Sequence, residues 1–177
     1  MTAHQITTTE TVTVHEVASL TPEQVERLAE ILVAVTADGA SVGYVPPLDP
    51  AEARAYWGGV AKPGNILLIA EREGRIVGTA QLELAMRLNG RHRAEVNKVL
   101  VDPACQRQGI GRRLMEELET VARREGRTLL HLDTREGDGS NDLYRRMGYT
   151  EAGRIPHWAR SASGSLDATV FYYKLLE

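Results

Sequence analysis

Apolar residues along this chain alternate between the two-residue period of strands and the three-to-four-residue period of helices, and the changes of period outline its elements. Val12, Val14 and Val17 lie in a Thr- and Val-rich run that predicts a first strand. Thr21-Pro22-Glu23-Gln24 then supplies a capping hydroxyl and a proline suited to the first helical position, and Val25, Leu28, Ile31 and Leu32 follow at helical spacing. Gly39 to Pro50, with two glycines and three prolines, predicts a loop. Asp49-Pro50-Ala51-Glu52 repeats the cap-then-proline start and opens a short second helix through Trp57, which Gly58-Gly59 ends.

Two further strands, Ile66 to Glu71 and Ile76 to Leu84, are joined by Arg72-Glu73-Gly74-Arg75 and predict a hairpin. A fourth strand runs from about Arg93 to Val101 and stops at Asp102-Pro103, because proline has no N–H for the ladder. Leu114, Leu118, Val121 and Ala122 mark an amphipathic helix from about Gly109 to Glu125, closed by Gly126. Leu129 to Leu132 is a short, nearly continuous apolar run of the kind found in central strands. A last helix from about Asn141 to Met147 precedes two strands, near Tyr149 to Arg154 and Ala168 to Leu175. The order β-α-α-β-β-β-α-β-α-β-β describes an α/β fold. Residues 1 to about 10 lack apolar periodicity and read as a loose terminus, leaving 11–177 as one domain.

Composition then removes several kinds of function. Lys and Arg number 21 against 24 Asp and Glu, a net charge of −3, so no overall cationic field attracts nucleic acid and none is expected as partner. Cys105 is the single cysteine, which rules out an internal disulfide and a thiolate metal cluster, and no His, Asp and Glu spacing suggests a metal. The N-terminus has neither a basic nor an apolar leader region, and no apolar run approaches the roughly 20 residues that span a bilayer. A cytoplasmic protein without membrane partners is the expectation.

The segment with chemical content runs from Val99 to Leu114. It is a strand end, a short loop with Gly109 and Gly111, and a helix start, which together aim unpaired backbone N–H groups and a positive dipole end at one spot. Such a spot binds phosphate, and the glycines let the backbone approach closely. A Walker A loop is excluded because no Gly-Lys-Ser/Thr follows, and Leu114 stands where a dinucleotide fingerprint has its third glycine. A plain strand-to-helix turn is the alternative.

What remains, Gln106-Arg107-x-Gly109-x-Gly111 after a Val-x-Val strand, resembles motif A of the Gcn5-related N-acetyltransferases (GNAT), where this loop binds the pyrophosphate of coenzyme A. The resemblance extends to Arg93-Ala94-Glu95-Val96-Asn97-Lys98, to Leu130-His131-Leu132-Asp133-Thr134, and to Asn141-Asp142-Leu143-Tyr144 with Met147-Gly148-Tyr149. The loop Ala40 to Tyr44 is similar to that of the tabtoxin-resistance acetyltransferases. It implies a GNAT fold: a mixed, mostly antiparallel twisted sheet of about seven strands with about four helices, splayed into a V between strands 4 and 5. It also implies acetyl-CoA as acyl donor, held by Val99, Leu100, Val101, Gln106, Arg107, Gln108, Gly109, Ile110, Gly111, Arg112, Asn141 and Tyr144. In the family, strand 4 bulges and the pantetheine arm pairs with its backbone, here at Val99 and Val101, with the Val99 N–H facing the thioester oxygen.

Amine acetylation needs a base, an oxyanion donor and an acid for the departing thiolate. Strand alternation sets Arg93, Glu95, Asn97, Val99 and Val101 on one face, and Glu95 stands where histone-type relatives carry a general base; a salt-bridged strand residue is its alternative. Tyr144 matches the family's general acid, or else packs the last helix on the sheet. Asp133, at the end of the fifth strand, faces the amine or caps a turn. His131 is read as structural, on the opposite face, and Cys105 as a bystander. Tyr44, Trp57, His157 and Trp158 are candidates to line the acceptor pocket with Asp133. The implied reaction is direct acetyl transfer, in a ternary complex, to the primary amine of a small molecule such as a toxin, antibiotic or amino-acid-like acceptor. A protein or peptide amine is the second reading, and a non-catalytic acetyl-CoA-binding regulator the third. Dimers are frequent in the family, yet no segment marks an interface.

Overall fold

In the computed structural model, which describes residues 11–177, the predicted order of elements holds. The expected loose terminus, 1 to about 10, lies outside the described residues. The elements are β1 Thr13–Val17, α1 Pro22–Ala37, α2 Pro50–Gly58, β2 Asn65–Arg72, β3 Arg75–Leu84, β4 Arg93–Val101, α3 Ile110–Arg124, β5 Leu129–Arg135, α4 Ser140–Arg146, β6 Thr150–Arg160 and β7 Leu166–Leu175. The start of α1 is closed reciprocally: Thr21 Oγ1 accepts from the Gln24 N–H at 3.3 Å, and Gln24 Oε1 accepts from the Thr21 N–H at 3.0 Å. Such a cap is worth about 1 kcal/mol.

Two strands outrun their predicted ends. β5 continues through Asp133, Thr134 and Arg135 because β7 pairs with it as far as Arg135↔Thr169, so Asp133 lies within the strand and not at its end. β6 reaches Arg160, which pairs with Leu166, although it is exposed on both faces and so has no two-residue apolar alternation. Backbone pairing decided both ends, and neither leaves a trace in side-chain periodicity.

One seven-stranded sheet, ordered β1-β2-β3-β4-β5-β7-β6, carries a core on each face. α3 covers the first core, where Leu114, Met115 and Leu118 pack against Ala80, Leu82, Ala94, Val96, Leu130 and Leu132. α1 and α2 cover the second, where Leu28, Ile31, Leu32 and Trp57 meet Leu67, Ile69 and Ile76. Fully burying each such side chain contributes about 1.5–3 kcal/mol.

All neighbouring strands run antiparallel except β4 and β5, which are parallel and pair only at Arg93↔Leu129, Ala94↔Leu130 and Glu95↔His131. Beyond Glu95 the two separate, β4 staying with β3 and β5 with β7. The expected V between strands 4 and 5 is therefore present. It opens toward the C-terminal ends of parallel strands, where open α/β sheets place their ligands.

Gly78 seats α3 against this sheet. A Cβ built there would come within 2.9 Å of the Leu100 carbonyl oxygen and 3.2 Å of Ile110 and Leu114 side chains, which are fixed by the strand and by the first turns of α3. Overpacking of this kind costs about 1–3 kcal/mol. Gly78→Ala should therefore lower Tm by roughly 2–12 °C in a thermal melt, at about 2–4 °C per kcal/mol for a chain of this size; an unchanged Tm would show that α3 can lift off without loss.

Candidate functional site

The V continues into a cleft of about 930 Å³ whose walls come from five places: the segment Asp38–Gly43 after α1, the end of β4, the start of α3, the run from Asp133 through α4, and Trp158 and Ala159 on β6. The α3 end is set by the chain just before it. Asp102 Oδ1 accepts from the Ala104 N–H at 3.0 Å and its other oxygen pairs with Arg27, whose Nε also donates to the Ile76 carbonyl at 3.0 Å. Burial alone would raise the Asp102 carboxyl, but the Ala104 N–H and Arg27 outweigh it and hold the group below its ordinary range.

α3 then begins without a side-chain cap. Gly109 takes the N-cap position at φ 81°, and Arg107 before it sits at φ 63°. With no capping side chain, the N–H groups of Ile110, Gly111 and Arg112 have no partner in the helix and border the cleft. Arg107, Arg112 and, from the last turn of α4, Arg146 line the same end. This is an anion cradle, and its donors suit a pyrophosphate.

β4 bulges at Lys98, which adopts φ 50° where the register with β3 shifts between Thr79 and Gln81. The bulge corrects one expectation. An extra residue inverts the alternation, so Val99 and Val101 pack toward the first core with Ala94 and Val96, while Leu100 joins the second. Glu95 and Asn97 therefore lie on the opposite face from Val99 and Val101, and the expected single row of five is broken.

On that opposite face, groups of both sign converge. Glu95 stands across from Glu83 on β3 and His131 on β5. His131 and Asp133, two apart on one strand, share this face, contrary to the expectation that His131 points away. Burial pushes the Glu95 carboxyl up; Glu83 and Asp133 push it the same way, while His131 and Lys98 oppose. Asp133 lines the cleft and accepts from Thr169 Oγ1 at 2.8 Å. Burial pulls the Lys98 ammonium down, with Asp133 and Glu95 opposing.

Tyr144 approaches from the first-core side. Its ring lies 5.9 Å from those of Tyr149 and Tyr172, it borders the cleft, and among the described residues its hydroxyl has no hydrogen-bond partner. Burial, with the charge of Asp133, pushes its phenol well above the ordinary range. The V is thus the place where Tyr144 from one face and Lys98 and Asp133 from the other border one cleft, while Glu95, next to the lining residue Val96, does not border it itself.

Val99, Leu100, Val101, Gln106, Arg107, Gly109, Ile110, Gly111, Arg112, Asp133, Tyr144 and Trp158 all border the cleft, as the sequence suggests. Others do not. Asn141 is buried with its amide committed: Nδ2 donates to the Arg135 and Asp138 carbonyls at 2.8 Å each, and Oδ1 accepts from Tyr172 at 2.9 Å. It anchors the turn between β5 and α4 and has no donor left for pantetheine. Gln108 is drawn off by Arg72, at 2.7 Å. Trp57 is 1% exposed and packs edge-on against Tyr56 inside the second core, because the buried stripe of α2 includes it. Tyr44 meets the Tyr56 ring edge-on at 6.2 Å between centroids and is not among the cleft's lining residues, and His157 is exposed on β6 at φ 55°. Trp158 keeps half its surface open and rests edge-on against Phe171 at 5.4 Å.

The structure adds Lys98, Arg135 and Arg146, which sequence reasoning passed over. Arg135 bonds Asp138 at 2.7 Å and the Gly39 carbonyl at 2.9 Å, tying two walls of the cleft together. The clustering of Arg107, Arg112 and Arg146 around the glycine loop and the last helix was a usable signal; for β4 the family resemblance implied a bulge, which the structure has at Lys98, but nothing in the neighbouring residues says which position takes it.

This geometry has counterparts among known proteins. The model of the Acetyltransferase (GNAT) family matches residues 23–149. The chain is 32% identical over 128 residues to an uncharacterized N-acetyltransferase from the hisH-hisA intergenic region of Azospirillum brasilense, covering 71% of this chain and 76% of that protein. It is 35% identical over 95 residues to an IAA acetyltransferase of the same organism, covering 53% of this chain and 60% of that one. The crystal structure of ribosomal-protein-alanine N-acetyltransferase from Brucella melitensis has the same fold, with a TM-score of 0.77 at 24% identity over 93% of this chain and 99% of that one.

A Cβ at Gly111 would meet Leu143 at 3.5 Å and Val101 at 3.9 Å, ordinary contacts, but the two methyls of a valine would crowd the cradle floor. Gly111→Val should fold and yet lose at least about tenfold in affinity for acetyl-CoA in a calorimetric titration, a loss of about 1.4 kcal/mol. Full affinity in the folded variant would move the pyrophosphate site away from α3.

Proposed function

The chain belongs to the acetyltransferase (GNAT) family, and we propose that it moves the acetyl group of acetyl-CoA to the primary amine of a small molecule. The observation that carries this reading is the parting of β4 and β5 beside the uncapped start of α3. The cradle holds pyrophosphate, and the unpaired β4 edge takes the pantetheine arm as a short added strand. The thioester is thereby led into the V between the two faces.

From the Glu95 face the amine attacks the thioester carbonyl; a C–N bond forms and the C–S bond breaks. Glu95, directly or through water, takes the proton that the ammonium must lose, and Asp133 helps to orient the amine. The Val99 N–H faces the thioester oxygen. Tyr144, on the other face, gives its proton to the departing sulfur. A phenol suits this task because even its ordinary pKa, near 10, keeps it protonated at neutral pH, and burial strengthens that tendency. A small acceptor is favoured by the Arg135 bridge to Gly39, which narrows the acceptor side that an extended peptide would have to cross. The likeness of the Ala40–Tyr44 loop to tabtoxin-resistance enzymes and the name of the IAA acetyltransferase relative support the same class.

Thiol release from acetyl-CoA across a panel of small amines, with an N-terminal alanyl peptide as control, tests the acceptor class. Turnover confined to the peptide would replace the small molecule by a protein amine. In the same assay Tyr144→Phe should reduce kcat by about 10²-fold or more. A thioester with a better leaving thiol should recover part of the rate; equal impairment with both donors would make Tyr144 a packing residue.

Glu95 acts only when ionised, and burial favours its neutral form, so the acid limb of kcat/KM should lie above the ordinary glutamate range of about 4.3. Glu95→Gln should abolish that limb and lower turnover by about 10²-fold, with acetyl-CoA affinity nearly unchanged. Should the limb persist in Glu95→Gln and vanish in Asp133→Asn, the base is Asp133.

A further inference from the structure

Arg107, Arg112 and Arg146 belong to the cradle and Arg135 is bonded to Asp138 and Gly39, whereas Lys98 lines the cleft and has no part in the proposed reaction. It sits at the β4 bulge, half-buried, with Nζ over the Tyr56 ring at 5.4 Å. A side chain at Gly43 would begin 3.5 Å from that nitrogen, so the glycine keeps the space beside the ammonium open, within the segment that lines the cleft. Glu95 and Asp133 are near enough to act on Lys98 electrostatically, yet among the described residues neither is close enough to form an ion pair with it. Withdrawing an ammonium from water without such a pair is costly, and its burial is felt in its weakened basicity.

The acceptor side therefore presents the carboxylates of Asp133, Glu95 and Glu83 and one cation, Lys98, that has no ion pair among the described residues, on a single sheet face. A diamine, a polyamine or a lysine-rich peptide would meet repulsion at Lys98 after satisfying the carboxylates. A molecule with an ammonium and a carboxylate a few bonds apart complements both signs. We propose that Lys98 makes the acceptor site selective for a zwitterionic amine, a small amino acid or its analogue, whose ammonium faces Glu95 and Asp133 and whose carboxylate pairs with Lys98. This rests on the small-molecule acetyl-transfer reading and specifies its acceptor.

The test uses matched pairs: L-methionine, L-phenylalanine and L-glutamate, each beside its α-carboxamide, in the acetyl-CoA thiol-release assay. The amide's amine is less basic and more often neutral at pH 7, which by itself favours the amide. Wild type should nevertheless prefer the acid of at least one pair in kcat/KM by about 10- to 100-fold, the range of a charge-assisted hydrogen bond. Lys98→Met should erase the preference, chiefly through KM for the acid, and Lys98→Arg should keep most of it. Amides turned over as well as acids by wild type, or equal losses for acid and amide in Lys98→Met, would overturn the proposal.

A binding arm separates it from the transfer reading. The same pairs are titrated calorimetrically into enzyme saturated with unacylated coenzyme A, where no turnover occurs. Tighter binding of the acid in wild type, lost in Lys98→Met, sustains the role of Lys98 even if no thiol is ever released, in which case acetyl transfer to these amines is what fails. Equal binding of acid and amide, or binding of neither, overturns the role of Lys98 whatever the turnover.

Discussion

The arrangement of this protein depends on backbone hydrogen bonding at one place, the edge that β4 shows to β5 after Glu95. Three residues pair in parallel and then the ladder stops, because β5 is held by β7 along its whole length and β4 by β3. Backbone N–H and C=O groups in a sheet interior need partners. A central strand with an open edge is thus a demand that a ligand's amides can meet. The cleft, the exposure of Tyr144 to it and the meeting of two sheet faces all follow from that interruption.

The bulge at Lys98 is the second half of the same device. One extra residue in β4 turns Val99 and Val101 toward the first core and leaves Glu95 and Asn97 on the other face. It also holds a lysine at positive φ, a conformation that a side chain of this size adopts only when its surroundings insist. Here those surroundings are the paired stretches of β3 and β4 on either side. The donor end is stiffened by other means: Arg27 and Asp102 fix where β4 ends, and Gly78 lets α3 lie close on the sheet. Asn141 fixes the turn into α4 with three hydrogen bonds, of which the one from Tyr172 is fully buried and the most expensive to leave unmade.

Burial then differentiates groups that the sequence lists as equals. Glu95 and Tyr144 are both pushed toward their protonated forms, and Lys98 toward its neutral one, each primarily by loss of water. For a carboxylate serving as base and a phenol serving as acid these shifts act in useful directions, since a base gains basicity and an acid stays loaded at neutral pH. Asp133, exposed and bonded to Thr169, is the charge that acts on all three.

Much of this was legible in the chain alone, because it is local. Caps at Thr21 and Asp49, the proline stop at Asp102-Pro103 and the glycine-flanked start of α3 depend on a few adjacent residues and stood where the spacing put them. The order of elements and the uncapped, glycine-flanked start of α3 beside the cleft followed from such signals. Tertiary structure decided what pairing and packing decide: how far β5 and β6 run, that Trp57 is core, and that Asn141 is spent inside the fold. It also decided which face Glu95 shares. A bulge alters the count of residues along a strand without altering their chemistry, so period-two reasoning carried past Lys98 assigned Val99 and Val101 to the wrong side and gave no hint that a lysine would stand in the V.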